Sequence, residues 1–204
     1  MTSKVIILNG SSSSGKSTLA SAIQQCSDVP FQHISLDQFR DGLPMAMRGL
    51  NAPEDSMGAR GLNVVPEHSP AGPRTHIRFG NHGKRVLEGM RRCVGVFADM
   101  GLNVVVDDLF FEPEFLEQYR QLLDPATTWL VGVYCDAAEL QRRESTRIGR
   151  FPGTALAHLE QLHAHGVTYD LTIDTTASDP LENAAAVLER AKAPPTALAG
   201  VAIT

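Results

Sequence analysis

The run VIILNG, followed without a break by SSSSGKST, constrains this chain more than any other stretch. Val5 to Leu8 is continuously apolar and rich in β-branched residues. Such a run suits a strand covered on both faces, because a surface strand would alternate polar and apolar positions. Asn9-Gly10 ends it, and Lys16 to Gln25 then reads as a helix. A buried strand, a tight glycine-bounded turn and a helix in that order aim successive backbone N–H groups at one point. That arrangement is a site for an anion.

Gly10 to Ser17 reads GSSSSGKS and fits G-x-x-x-x-G-K-[ST] at every fixed position, the P-loop pattern. Gly10 permits a sharp exit from the strand. Ser11, Ser12, Ser13 and Ser14 carry the N–H groups of the turn, and Gly15 lets the backbone come close to phosphate. Lys16 is placed to reach β- and γ-phosphates, and the Ser17 hydroxyl to ligate Mg²⁺. Thr18 lies in the first turn of the helix. The expected ligands are therefore ATP and Mg²⁺.

Further along, Phe31–Leu36, Leu102–Val106, Thr128–Tyr134 and Asp170–Ile173 are short apolar runs. Helical patterns separate them: Val86 to Met100 closed by Gly101, Glu114–Leu123, Ala137–Thr146, Leu156–His165 and Leu181–Lys192. Strands that alternate with helices and are apolar throughout imply an α/β fold. About five parallel strands form the sheet, with helices on both faces. Ligands of such a sheet bind at the carboxyl ends of its strands. Gly10, Asp37 and Asp107 each follow a strand, so all three are expected at that edge. Residues 48–78 break the rhythm, being rich in Gly and Pro without helical period, and read as a long functional loop.

Asp37 has two readings of equal standing: a carboxylate that takes the proton of an acceptor hydroxyl, or a helix cap. Asp107 and Asp108 end an apolar strand beside the P-loop, where an Asp serves Mg²⁺ directly or through water. Neighbouring residues point to opposite sides, so one of the two faces the metal, with Asp107 slightly the better placed. Arg142, Arg143, Arg147 and Arg150 form a cluster before the breaker Phe151-Pro152-Gly153. A mobile segment carrying Arg143, Arg147 and Arg150 over the phosphates would stabilise developing charge, and Arg147 is the first choice among them. His158, His163 and His165 lack carboxylates at metal-ligand spacing and read as surface or helix-face residues. Trp129 reads as core. Met45 and Met47 fit either an apolar acceptor pocket or core packing.

The net charge of −5 over 204 residues argues against nucleic acid as a partner. The N-terminal apolar run is too short for a signal peptide or a membrane span, which gives a cytoplasmic expectation. Cys26, Cys93 and Cys135 show no disulfide or zinc spacing and read as small core residues. A small-molecule hydroxyl acceptor is the expected partner, and a homo-oligomer stays open.

Taken together, VIILNGSSSSGKST, the Asp37 strand end with GLPMAM, VVVDDLF, WLVGVYCD, RREST and HGVTYDLTIDTT resemble the chloramphenicol phosphotransferase family from about Lys4 to Leu188. The resemblance implies a P-loop nucleoside-triphosphatase fold of nucleotide-kinase type with a lid, related to shikimate kinase. It also implies ATP-dependent 3-O-phosphorylation, with Asp37 as the catalytic carboxylate and lid arginines among Arg143, Arg147 and Arg150. The chain departs from the family with RIGR in the lid, with the charged Arg40, and with a longer insert. One kinase domain is expected over residues 1–192, with 48–78 as an acceptor-side insert and 143–155 as the lid. Residues 193–204 are expected to form a disordered or loosely docked tail. Two alternatives stay open. One is a shikimate- or gluconate-type kinase whose anionic acceptor is met by Arg40, Arg48 and Arg60. The other is a nucleotide-binding regulatory module without an acceptor.

Overall fold

A computed structural model describes residues 3–69, 72–162 and 167–198. In chain order the elements are β1 (Val5–Gly10), α1 (Lys16–Cys26), β2 (Phe31–Ser35), α2 (Leu36–Asp41), a 3₁₀ turn (Met45–Met47), β3 (Arg48–Leu50), α3 (Met57–Arg60), β4 (Leu62–Ser69), β5 (Gly72–Phe79), α4 (Asn81–Asp99), β6 (Asn103–Asp108), α5 (Pro113–Leu122), β7 (Thr128–Tyr134), α6 (Ala137–Ser145), α7 (Thr154–Leu162), β8 (Leu171–Asp174) and α8 (Pro180–Arg190).

Five strands form one parallel sheet in the order β2-β6-β1-β7-β8. The central strands β6, β1 and β7 are almost wholly buried because both faces of the sheet are covered there, while the edge strands β2 and β8 carry the exposed Gln32 and Thr172. Val5 and Ile7 join Val104, Val106 and Leu130 in a core with Leu87 and Met90 of α4 and Phe115 of α5. Ile6 and Leu8, one step out of phase, join Val105, Val131 and Val133 in a core with Leu19 and Ile23 of α1 and Val187 of α8. Period-two alternation thus sends successive β1 side chains into two different cores. His163 and His165 lie outside the described residues.

Three sequence expectations change. Residues 48–78 are not a loop but contain a second sheet, β3-β4-β5, in which β4 and β5 pair antiparallel from Leu62↔Phe79 to Ser69↔Gly72. Pro66 hid this strand. β3 covers β4 only as far as Val64, so Pro66 lies in an edge stretch, where proline is tolerated. The tail is docked as far as it is described. Ala197 and Leu198 are buried, and the Trp129 indole N–H donates to the Ala193 carbonyl at 3.0 Å. The buried Asp170 carboxylate accepts from the Thr196 and Ala197 amides and pairs with Arg190 at 2.9 Å. Residues 199–204 lie outside the described residues. Cys26 is exposed at the end of α1 and packs in no core, whereas Cys135 is buried. No helix among the described residues is long and apolar enough to cross a membrane.

Candidate active site

The turn after β1 has the strained backbone its sequence calls for. Gly15 sits at φ 92°, a left-handed conformation that favours glycine, and Ser13 is also left-handed at φ 64°. Gly10 has a different requirement: a Cβ there would collide with the Val133 carbonyl of β7. The turn feeds α1, an 11-residue helix with no side-chain cap, so the amides of its first turn stay open toward the site. The Ser12, Ser13 and Ser14 hydroxyls are buried without a partner among the described residues. Lys16 is 6% exposed. Its ammonium donates to the carbonyls of Gly10 at 2.8 Å and Ser11 at 3.0 Å, folding back across the turn.

Register settles which aspartate joins this turn. Asp107 pairs with Leu8 and so points to the α1 side of the sheet. Its Oδ2 accepts from the Ser17 hydroxyl at 2.5 Å, and its Oδ1 lies 3.5 Å from Lys16 Nζ. Asp108, also named for the metal, points to the opposite face and does not line the cavity. It is fully buried against Arg91 of α4 at 3.0 Å, and it accepts from the Tyr119 hydroxyl at 2.9 Å and from the Leu109 amide at 2.7 Å. Asp108→Ala would strand the Arg91 guanidinium in the core and is expected to lower stability by about 3–5 kcal/mol. Asp107→Asn keeps the shape and an oxygen for the Ser17 hydroxyl, and Lys16 keeps its carbonyl partners at Gly10 and Ser11, so it should shift stability far less. Urea unfolding of the two variants checks the split.

The donor set suits a hard cation. A hydroxyl and a carboxylate stand together, while no cluster of three His, Cys, Asp or Glu exists among the described residues. Mg²⁺ fits such a place because it takes one or two protein oxygens and fills the rest of its shell with phosphate and water. The cradle of open amides and partnerless hydroxyls likewise suits a polyphosphate.

Asp37 lines the same cavity as this turn. It is not the helix cap: Ser35 caps α2, accepting from the Gln38 amide while Gln38 answers to the Ser35 amide. Asp37 stands one step into the helix, 43% exposed at its side chain. Its carboxylate takes Arg40 at 2.7 Å and Arg150 at 3.0 Å. The second contact ties the arginine-bearing segment to the α2 turn over 113 positions of sequence.

The arginines of the segment occupy three different settings. Arg143 lies against the P-loop, donating to the Thr175 carbonyl at 2.5 Å, the Thr175 hydroxyl at 3.2 Å and the Ser13 carbonyl at 3.5 Å. Glu139, one helical turn back, aligns it at 2.8 Å. Hydrogen bonds from Arg142 and then Arg143 hold the Glu139 carboxyl down to about 2. Arg147, the first choice from sequence, is exposed on the cavity rim and makes no side-chain hydrogen bond or ion pair among the described residues. The end of the segment is fixed by Glu144, a residue the sequence reading passed over. Its buried carboxylate accepts from the Gly153 amide at 2.7 Å and the Ala155 amide at 2.8 Å. Thr175 was also missed. Its hydroxyl donates to the Ser14 carbonyl at 2.6 Å and so joins β8 to the P-loop.

One cavity of about 830 Å³ gathers Ser12, Ser13, Gly15, Lys16, Ser17, Thr18, Asp37, Asp107, Arg143, Arg147 and Arg150. Gly10, Ser11 and Ser14 shape the turn from behind. Away from the P-loop the cavity becomes apolar, lined by Leu50, Leu62, Val64, Ile77 and Phe79 of the small sheet with Leu109, Phe111 and Phe151. Met45 and Met47 do not line it. His158, read from sequence as a surface or helix-face residue, is on α7, 4% exposed, and forms part of the wall.

The sequence profile of the chloramphenicol phosphotransferase-like protein family matches residues 3–192. The chain belongs to that family. With the chloramphenicol phosphotransferase-like family comes the coarse activity, kinase-type phosphoryl transfer to a small molecule. A Mycobacterium tuberculosis relative named "Putative O-phosphotransferase Rv2636" is 31% identical over 203 residues, covering 96% of this chain and 85% of its own. Among solved structures, M. tuberculosis APS kinase CysC in complex with AMPPNP and APS has a TM-score of 0.60 at 16% identity, covering 94% of this chain and 98% of that one. Shikimate kinase from Bacteroides thetaiotaomicron has a TM-score of 0.60 at 15% identity, covering 93% and 99%. Both place the fold among the P-loop kinases.

Proposed function

We propose that this protein moves the γ-phosphoryl group of ATP onto a hydroxyl of a small alcohol with an apolar body, chloramphenicol or a related antibiotic being the first candidate. One observation carries the reading: a single cavity joins a P-loop, the Asp37 carboxylate and an apolar wall.

The P-loop amides and Lys16 would hold the β- and γ-phosphates, and Ser17 and Asp107 would hold Mg²⁺, which neutralises phosphate charge when bound. Asp37 orients the acceptor hydroxyl and accepts its proton. The acceptor oxygen then bonds to the γ-phosphorus as the bond to the β–γ bridging oxygen breaks, and ADP leaves. Lys16, Arg143 and Arg150 face the charge that spreads over the transferring group. Arg150 also contacts Asp37, so a guanidinium of the lid touches the base. Arg147 on the rim is a further lid cation. Positioning and electrostatics supply most of the rate in such transfers.

An anionic acceptor of shikimate or gluconate type has less support. Arg40 is taken by Asp37 and Asp41. Arg48 donates to the carbonyls of Leu43 and Asp41, and Arg60 is absent from the cavity wall. The test is acceptor-stimulated ADP release in the presence of chloramphenicol, other apolar alcohols, shikimate and gluconate. Stimulation by the apolar alcohols is expected. Stimulation by the acids alone would replace the acceptor assignment, and stimulation by none would favour a regulatory nucleotide-binding module.

A further inference from the structure

The acceptor end contains a polar side chain that the transfer chemistry leaves unused. His158 of α7 lies in the wall of the cavity that holds Lys16, Asp37 and Arg150. Its ring meets Phe111 edge-on, with centroids 4.7 Å apart and planes at 75°. Neither Nδ1 nor Nε2 has a hydrogen-bond partner among the described residues, although the ring is only 4% exposed. Buried polar atoms are paired in the great majority of cases, so two orphans on one ring call for a partner.

The surroundings define what that partner is. Burial first, and then the cations Lys16 and Arg150 together with an electrostatic contribution from His76, push the imidazole pKa down to about 3, so the ring is neutral near pH 7. A neutral imidazole offers one N–H donor and one acceptor nitrogen. Lys16 and Arg150 disfavour a cationic ligand group beside it. Val64, Ile77, Phe79 and Phe111 make the neighbouring wall apolar. A neutral hydroxyl or amide matches both the ring and its setting, since each offers a donor and an acceptor of its own.

We propose that His158 is a specificity-determining residue of the acceptor end, selecting alcohols that carry a second neutral hydrogen-bonding group, a hydroxyl or an amide, besides the hydroxyl that is phosphorylated. The proposal rests on the phosphotransferase reading above, and it assigns His158 to recognition, apart from the proton transfer at Asp37. A site built to hydrogen-bond a hydroxyl discriminates strongly against the analogue that lacks it.

The test uses the full chain and two acceptors with the same apolar body, an aryl propanediol and the matching aryl propanol. The wild type is expected to favour the diol by about tenfold or more in kcat/KM, chiefly through KM. His158→Phe keeps a flat apolar ring but removes both polar atoms, and should erase that preference. His158→Gln restores a donor and an acceptor and should keep part of it. A histidine that merely fills space predicts a different pattern: unchanged diol preference in His158→Phe together with a raised Tm, because two orphaned polar atoms have gone. That pattern overturns the proposal, as does a wild type with no diol preference, a comparison that stands even where the Phe variant fails to fold.

Calorimetric binding of both acceptors separates this inference from the reading beneath it. Diol binding that drops to the propanol level in His158→Phe, with no phosphate transferred to either, upholds His158 and removes the phosphotransferase reading. Phosphorylated product with equal binding of diol and propanol does the reverse.

Discussion

Lys16→Ala is expected to lower phosphoryl transfer by at least about two orders of magnitude while the protein stays folded. The loss follows from where the ammonium sits. In the resting site it bridges the carbonyls of Gly10 and Ser11 and lies 3.5 Å from Asp107. These contacts hold a cation at the mouth of the amide cradle, 6% exposed and shielded from water, where its charge acts with little screening. Alanine removes the one side-chain cation that the turn itself supplies and leaves the Asp107 carboxylate without its lysine. The expected pattern is a collapse of kcat with a smaller effect on the far-ultraviolet circular dichroism and Tm. Coupled ADP release at saturating acceptor checks the rate. A variant that keeps near-normal turnover would remove the P-loop lysine from the chemistry.

Asp37→Asn is expected to reduce transfer by about two to four orders of magnitude, with ATP affinity largely unchanged. Asn retains the shape and one oxygen for Arg40 or Arg150 but cannot accept the acceptor's proton. The effect should therefore appear in kcat, with little change in nucleotide binding, since the Asp37 carboxylate bonds to Arg40 and Arg150 and to no P-loop residue among the described residues. Isothermal titration with ATP and Mg²⁺ alongside the rate assay separates the two. Weakened ATP binding would make the residue a scaffold for Arg150, and undiminished turnover would place the base elsewhere.

These two residues also show how the sequence informs and where it stops. The P-loop and the five parallel strands are legible because local chemistry dictates them. Glycine is required at Gly15 by a φ of 92°, and strands with both faces covered must be apolar at every position. Asp107 and Asp108 were inseparable in sequence because the alternation rule needs a register. Pairing Leu8 with Asp107 supplies it and turns Asp108 toward Arg91. Asp37 looked equally like a cap, and only the Ser35–Gln38 capping box shows the cap already filled.

The small sheet was missed for a different reason. Its strands carry Pro66 and Pro73, and one of them is only three residues long, so the alternation that marks a strand never runs clean. Leu62, Val64, Ile77 and Phe79 do alternate, and that was the available signal. Glu139 was likewise readable as an i,i+4 partner of Arg143. Glu144 and His158 were not, because their roles depend on contacts between segments that only the folded chain brings together.

The central claim is that one cavity brings ATP's terminal phosphate to an alcohol with an apolar body. Mass spectrometry of acceptors after incubation with the protein, ATP and Mg²⁺ tests it most directly. The account predicts that an apolar alcohol gains one phosphoryl group and that Asp37→Asn forms none. Bound ATP with every alcohol recovered unchanged would contradict it.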